Sequence, residues 1–309
     1  MKHFINIKDI PSKDLKKILA DAKKRKKKRK KLNTLEPDKD SPLKGKLLVQ
    51  MFEKSSLRTR LSFYLAIRQL GGGTLTLRSN ELHLGEGGES LADTAKILST
   101  YCDGFMLRTD SDKKIENFKD FLSIPLINGL SPTSHPTQVL SDVFTVEEIK
   151  KESISNLNIS WIGDSNNVLN SLIAASVKFD FKLNIGCPKK YYPDKDILNW
   201  AKSYNKKINI FSDARKAAYN ADVIFSDKVI SLNDKVNKKK KILDFKKYKI
   251  NKKLMSVAKK DCIFLHCLPR GSEVEEKVFS SKQSKVWLQA FNRIHVQKSI
   301  LLYCFGKLR

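Results

Sequence analysis

Leu47-Leu48-Val49-Gln50-Met51 runs into Phe52-Glu53-Lys54-Ser55-Ser56-Leu57-Arg58-Thr59-Arg60, and the reading of the whole chain turns on that passage. The apolar run reads as a buried strand. Leu61-Ser62-Phe63-Tyr64-Leu65-Ala66-Ile67-Arg68-Gln69-Leu70 then reads as a helix, closed by Gly71-Gly72-Gly73. Two serines, a threonine and two arginines therefore fall on a strand-to-helix turn. Free backbone N–H groups and the positive end of the helix dipole gather at such a turn. Hydroxyls, N–H groups and guanidinium forks in one place suit a phosphate. The alternative is an N-capped helix with two solvated arginines. Two arginines on one turn favour the anion site.

Residues 8–32 read as a first helix, with Ser12 as N-cap and Leu15, Ile18, Leu19 and Ala22 in one apolar stripe. Residues 33–45, with Pro37 and Pro42, read as a loop. Strands are expected at 73–77, 104–108 and 124–130, with helices from Ser90 and from Val139 to about Lys151. Residues 81–90 are glycine-rich and read as a mobile loop. After the polar segment 150–156 the rhythm repeats, with strands at 159–162, 183–186, 208–211, 223–225 and 263–266. Alternating strands and helices argue for an α/β protein built on mainly parallel sheets flanked by helices. Sites in such sheets lie outside the C-terminal ends of the strands. Polar clusters fall there at 55–60, Arg108, 135–138, 164–167, 226–227 and 266–269.

The chain of 309 residues is long enough for two domains, and its 40% hydrophobic content can build cores. No apolar run approaches a membrane span, and the first nine residues contain no apolar stretch of signal-peptide length. The five cysteines (Cys102, Cys187, Cys262, Cys267 and Cys304) include no Cys-x-x-Cys pair. They argue for reduced thiols in a cytoplasmic protein, and against a disulfide framework or a zinc site. The net charge of +27 raises the question of a nucleic-acid partner. Nine consecutive basic residues at 23–31 supply part of it, and the rest is spread along a chain rich in Lys, Asn and Ile. A solvated basic surface accounts for this better than a nucleic-acid patch, and it draws small anions inward.

His135 stands before Pro136 at an expected helix start, with Arg108 on a strand end. An isolated histidine is more often a satisfied core residue. In this setting, however, both side chains can donate to a carbonyl oxygen that gains negative charge. Gly163-Asp164-Ser165-Asn166-Asn167 sits like a dinucleotide turn but lacks G-x-G-x-x-G. Asp227, just past a strand, can pair with an ammonium group. Cys267 and His266 are adjacent on a strand and point to opposite faces, so they form no cysteine–histidine dyad.

Taken together these clusters resemble the carbamoyltransferases, and within them the ornithine carbamoyltransferases. The resemblance runs nearly end to end. Besides the opening turn it rests on Asp93-Thr94-Ala95, His135-Pro136-Thr137-Gln138, Gly163-Asp164-x-Asn166-Asn167, His266-Cys267-Leu268-Pro269 and Asn292-Arg293-Ile294-His295-x-Gln297-Lys298. It implies transfer of the carbamoyl group of carbamoyl phosphate to the δ-amine of L-ornithine, giving citrulline and phosphate, in arginine biosynthesis, with no metal or organic cofactor. It also implies that Ser56, Leu57, Arg58 and Thr59 hold the phosphate, that Arg108, His135 and Gln138 hold the carbamoyl end, and that Arg293 is a further carbamoyl phosphate ligand. His83 stands nearest to a donor-binding glutamine of the family. Asn167, Asp227, Ser231 and Leu232 match ornithine-binding positions, and Cys267 and Leu268 line the place of reaction. Arg108, His135 and Cys267 are the expected catalytic residues.

By the same resemblance, residues 1–148 form a carbamoyl phosphate-binding domain, on which a C-terminal helix of about 290–309 packs back. Residues 149–289 form the ornithine domain, with the active site in the cleft between the two. A homotrimer, or a multiple of trimers, is expected. The chain departs from the family pattern in three places: an apparent one-residue insertion leaves the register of the 81–90 loop open, Arg270 follows Pro269 directly where Ala-His is usual, and Ser231-Leu232-Asn233 replaces the usual Ser-Met-Gly, which bears on the acceptor. Putrescine, an N-acylated ornithine or aspartate are therefore alternative acceptors. A basic nucleic-acid-binding protein is the distant alternative.

Overall fold

The computed structural model describes residues 1–78, 88–204, 208–230 and 237–308. The positions at His83, Ser231 and Leu232 lie outside the described residues. The chain forms two compact units, Met1–Ser141 with Phe291–Arg309, and Asp142–Ala290.

The first unit contains α1 (Ser12–Lys28), β1 (Leu47–Phe52), α2 (Leu57–Gln69), β2 (Gly73–Arg78), α3 (Leu91–Tyr101), β3 (Gly104–Arg108), α4 (Asp112–Phe121), β4 (Leu126–Leu130) and the start of α5 (Pro136–Lys150). Its four strands are parallel, in the order β2-β1-β3-β4. Five of the six β1 residues are buried, as expected for a strand covered on both faces. Val49, Met51, Phe105, Leu107 and Leu126 meet Ala95 and Leu98 of α3 and Ile115 and Phe118 of α4. The rings of Phe105 and Phe118 lie 5.2 Å apart, and each such side chain stabilises by roughly 1.5–3 kcal/mol when fully buried.

The second unit contains β5 (Asn158–Ile162), α6 (Asn167–Phe179), β6 (Lys182–Gly186), α7 (Lys195–Lys202), β7 (Ile208–Phe211), α8 (Ala214–Ala218), β8 (Val223–Asp227), α9 (Lys238–Asp244), α10 (Lys252–Met255), β9 (Ile263–Cys267), α11 (Glu276–Phe279) and the start of α12 (Val286–Cys304). Its five strands are also parallel, in the order β7-β6-β5-β8-β9. One of its cores joins Ile162, Ile224 and Phe264 of the sheet to Ala214, Ala217 and Ala218 of α8 and to Phe245.

Strand order reverses direction between β1 and β3 in one sheet, and between β5 and β8 in the other. At such a switch point the two neighbouring crossovers run to opposite faces and leave a crevice at the carboxyl ends. The sequence clusters at 52–60 and Arg108, and at 163–167 and Asp227, stand at these two crevices. Among the described residues no helix is long and apolar enough to cross a membrane.

Several local expectations change. The first helix is shorter: a 3-10 turn at Ile7–Asp9 precedes α1, whose N-cap is Pro11, with Ser12 already helical. The basic run is not uniformly solvated. Arg25 reaches Asp21, Asp38 and Asp40, and Arg29 is buried against Asp38. Helix α4, over which the sequence reading passes, is capped by Ser111 and closes the face beside β3 and β4. Asp227 and Cys267 are the last residues of their strands rather than residues beyond them.

Candidate active site

The turn after β1 begins at a tight junction. Phe52 pairs in register with Arg108, and the Glu53 N–H donates to the Arg108 carbonyl over 3.0 Å. The Glu53 carboxylate is engaged locally, accepting from Thr109 and pairing with Lys114. Ser56 occupies the N-cap of α2 with extended backbone, φ −152 and ψ 114, yet its side chain makes no cap hydrogen bond. Ser90, Ser111 and Asn166 all cap their helices through the side chain. The Ser56 hydroxyl thus does not serve the first-turn N–H groups of α2. The Leu57 side chain is exposed, so its contribution to an anion would be its backbone. The two arginines of the turn part ways: Arg60 lies over the Phe52 ring at 5.5 Å, and Arg58 bears on His135.

His135 is 2% exposed, at the start of α5. Burial pushes its pKa well below 6.5, and the charges of Arg293, Arg108 and Arg58 push it the same way. Its imidazole is therefore neutral near pH 7, able to donate from one nitrogen only. Arg293, on α12, is buried and donates from Nη2 to Thr59 Oγ1 over 2.9 Å. Gln138 is buried one helical turn beyond His135. Three guanidinium groups thus bear on one neutral ring, and Ser56, at the N-cap of α2, makes no side-chain cap hydrogen bond. Such a gathering of like charge suits an anion with several oxygens.

In the second unit, Gly163 leaves β5 at φ +145, where a Cβ would come within 3.3 Å of Ser226 Oγ. Asn166 then caps α6, its Oδ1 accepting from the N–H groups of Val168 and Leu169. Its Nδ2 donates to Asp227 Oδ2 over 2.7 Å, across the switch point. Burial raises the Asp227 pKa to about 6, although His266, the Lys228 N–H and Asn166 all favour its charged form. Asp227 pairs in register with Cys267, and Ser226 with His266. Cys267 and Leu268 are half-buried at that end. His266 lies on the other face of β9, with Nε2 3.0 Å from the buried Glu273 carboxylate. This geometry removes the cysteine–histidine dyad. Asn167 is the first residue of α6, half-buried.

Ser56, Arg58, Thr59, Arg108, His135, Gln138 and Arg293 thus gather in one unit, and Asn167, Asp227, Cys267 and Leu268 in the other. Asn166, the partner of Asp227, is the contact that residue-by-residue reading misses. Its signal is the Asn–helix junction itself, because an N-cap asparagine has a spare amide to aim elsewhere.

Each unit is a parallel, doubly wound sheet of the kind that binds ligands at its switch point, with a cationic cradle at that point in the first unit and a carboxylate–amide pair in the second. Family models match in the same two parts. The carbamoyl-P binding domain of aspartate/ornithine carbamoyltransferase matches residues 2–148, and the Asp/Orn binding domain matches residues 155–304. The chain belongs to the aspartate/ornithine carbamoyltransferase family. Among its relatives, the ornithine carbamoyltransferase of Ruthia magnifica subsp. Calyptogena magnifica is 42% identical over 307 residues, 98% of this chain and 99% of the relative. The ornithine carbamoyltransferase structure from Pyrococcus furiosus superposes with a TM-score of 0.92 at 36% identity, over 99% of this chain and 97% of that one. The anabolic ornithine carbamoyltransferase from Campylobacter jejuni gives 0.89 at 35% identity, over the whole of both chains.

Proposed function

We propose that this protein transfers the carbamoyl group of carbamoyl phosphate to the δ-amine of L-ornithine, giving L-citrulline and phosphate, within arginine biosynthesis. The observation that carries the reading is the buried Arg293 bonded to Thr59 of the β1–α2 turn, with buried His135 under the charges of Arg58, Arg108 and Arg293. A dianionic phosphate beside a polar carbonyl is the ligand such a group of charges suits. In this reading Ser56, Leu57, Arg58 and Thr59 take the phosphate, Arg108, His135 and Gln138 take the carbamoyl end, and Arg293 is a further carbamoyl phosphate ligand. Asp227 meets the α-ammonium, with Asn167 beside it, and Cys267 and Leu268 flank the reacting amine.

The amine must be neutral to attack. From a pKa of about 10.4, that costs roughly 4–5 kcal/mol at pH 7, and a desolvated pocket lowers the cost. Attack on the carbamoyl carbon forms a C–N bond and an oxyanion, which Arg108 and His135 stabilise by hydrogen bonding. Collapse breaks the bond from the carbamoyl carbon to the phosphate oxygen and expels phosphate towards Arg58 and the N-terminus of α2, and the departing phosphate takes the proton that the amine loses. Positioning and electrostatics suffice for this chemistry.

The ornithine carbamoyltransferases among the relatives support the acceptor, and the anabolic enzyme of Campylobacter jejuni supports the biosynthetic direction. Asp227 favours an acceptor with an α-ammonium over putrescine or N-acylated ornithine. Five free cysteines agree with a cytoplasmic setting. The exposed apolar stripe Leu57, Leu61 and Tyr64 on α2, with Leu75 on β2, agrees with self-association as a homotrimer. A citrulline assay with purified protein, run against a panel of ornithine, putrescine, N-acetylornithine and aspartate, tests the reading. Folded protein that forms no citrulline at saturating carbamoyl phosphate and ornithine would sink it.

A further inference from the structure

We propose that Lys241 is a positioning residue for the amino-acid half of the site and acts through Asp164. The inference rests on the ornithine reading above. Four successive lysines, Lys238 to Lys241, open α9; three are exposed, and Lys241 alone is buried, at 5% exposure. A lysine-rich composition explains the three but not the fourth. A buried ammonium is costly without a partner of opposite charge. Lys241 Nζ lies 2.6 Å from Asp164 Oδ2, and both side chains are nearly sealed from solvent.

Asp164 is the first side chain of the turn that delivers Asn166 and Asn167. Each part of that turn is tied down. The Asp164 carbonyl accepts from Trp161 Nε1 over 3.1 Å. Ser165 Oγ donates to the Tyr191 carbonyl over 2.6 Å. Asn166 joins the α6 N-terminus to Asp227. One helical turn beyond Lys241, the Asp244 carboxylate accepts from the Tyr191 hydroxyl over 2.9 Å. Lys241 Nζ also sits 5.7 Å from the centre of the Tyr191 ring. So one face of α9 grips both the turn at 164–166 and the Tyr191 segment that supports it. Loss of the ammonium frees the Asp164 carboxylate to seek water. The turn relaxes with it, and the aim of Asn166 at Asp227 is lost. The carbamoyl phosphate residues stand in the other unit and keep their places.

The test compares Lys241→Met, Lys241→Arg, Asp164→Asn and the double variant Asp164→Asn/Lys241→Met by steady-state kinetics and thermal unfolding. Lys241→Met raises KM for ornithine by about tenfold or more, the scale of a misplaced positioning group. KM for carbamoyl phosphate stays within about twofold, because uniform donor binding is untouched. Lys241→Arg restores most of the ornithine KM. The double variant regains the unfolding temperature lost by each single change, since no buried charge stands alone, but keeps the raised ornithine KM. A folded Lys241→Met protein with the wild-type ornithine KM overturns the proposal. So does a double variant whose KM recovers in step with its stability. Calorimetric binding of L-norvaline, which has the α-ammonium and lacks the δ-amine, makes the same comparison without turnover. If wild type binds norvaline but forms no citrulline, the transfer reading fails and Lys241 is still tested. If wild type binds neither amino acid, both fall.

Discussion

Asn166 Nδ2 donates to Asp227 Oδ2 over 2.7 Å, joining the ends of β5 and β8 across the point where the strand order turns. One asparagine thereby starts a helix and orients a carboxylate. That carboxylate is not an ordinary surface group, because burial holds its pKa near 6 rather than 3.8.

This value sets a pH dependence. The charged form is what an α-ammonium needs, so KM for ornithine rises as pH falls below about 6. For stability the sign is opposite. A carboxyl whose folded pKa is raised binds more protons folded than unfolded, so its contribution is lost as pH rises from about 4 to about 6. Asp227→Asn abolishes the pH dependence of the ornithine KM over this window, with KM high throughout. Initial rates in a buffer series and melting curves at matched pH check both statements.

In the proposed mechanism Arg108 donates to the developing oxyanion, and Arg108→Met removes that donor. We expect kcat to fall by about 10²–10³-fold, the usual effect of deleting one such donor. Single-turnover citrulline formation measures the chemical step directly.

Thr59 Oγ1 is the acceptor for the buried Arg293. Thr59→Val leaves that guanidinium short of a partner and costs about 1–3 kcal/mol. Because Thr59 is also one of the residues proposed to hold the phosphate, carbamoyl phosphate should raise the melting temperature of the variant less than that of wild type, in paired thermal shift runs.

Asp38 accepts from buried Arg29 and Lys298 and pairs with Arg25. Burial would raise its pKa, but these three cations hold it below the ordinary value. Its stabilising effect is therefore full above pH 4 and fades as pH falls through the lowered value. Asp38→Asn strands buried cations and should cost about 3–5 kcal/mol, a fall of roughly 10 °C in melting temperature. Replacing exposed Lys23, Lys24, Lys27, Lys28 and Lys30 by glutamine should leave both melting temperature and turnover nearly unchanged, and would exclude a nucleic-acid role for the run.

The sequence by itself determined the α/β alternation, because a strand covered on both faces must be a continuous apolar run, as in Leu47–Phe52. It also placed the polar clusters on strand ends, since turn chemistry is local, and resemblance then assigned their roles. Tertiary structure alone decided which strands lie side by side, and so which clusters share a switch point. It brought Arg293 to Thr59 across 234 positions, and it chose Lys241 and Arg29 for burial out of runs of like residues. The physical reason is range. Periodicity and capping act over a few residues, whereas the fate of a buried charge depends on a counter-charge such as Asp164, 77 positions from Lys241. That partner is fixed only when the chain has folded.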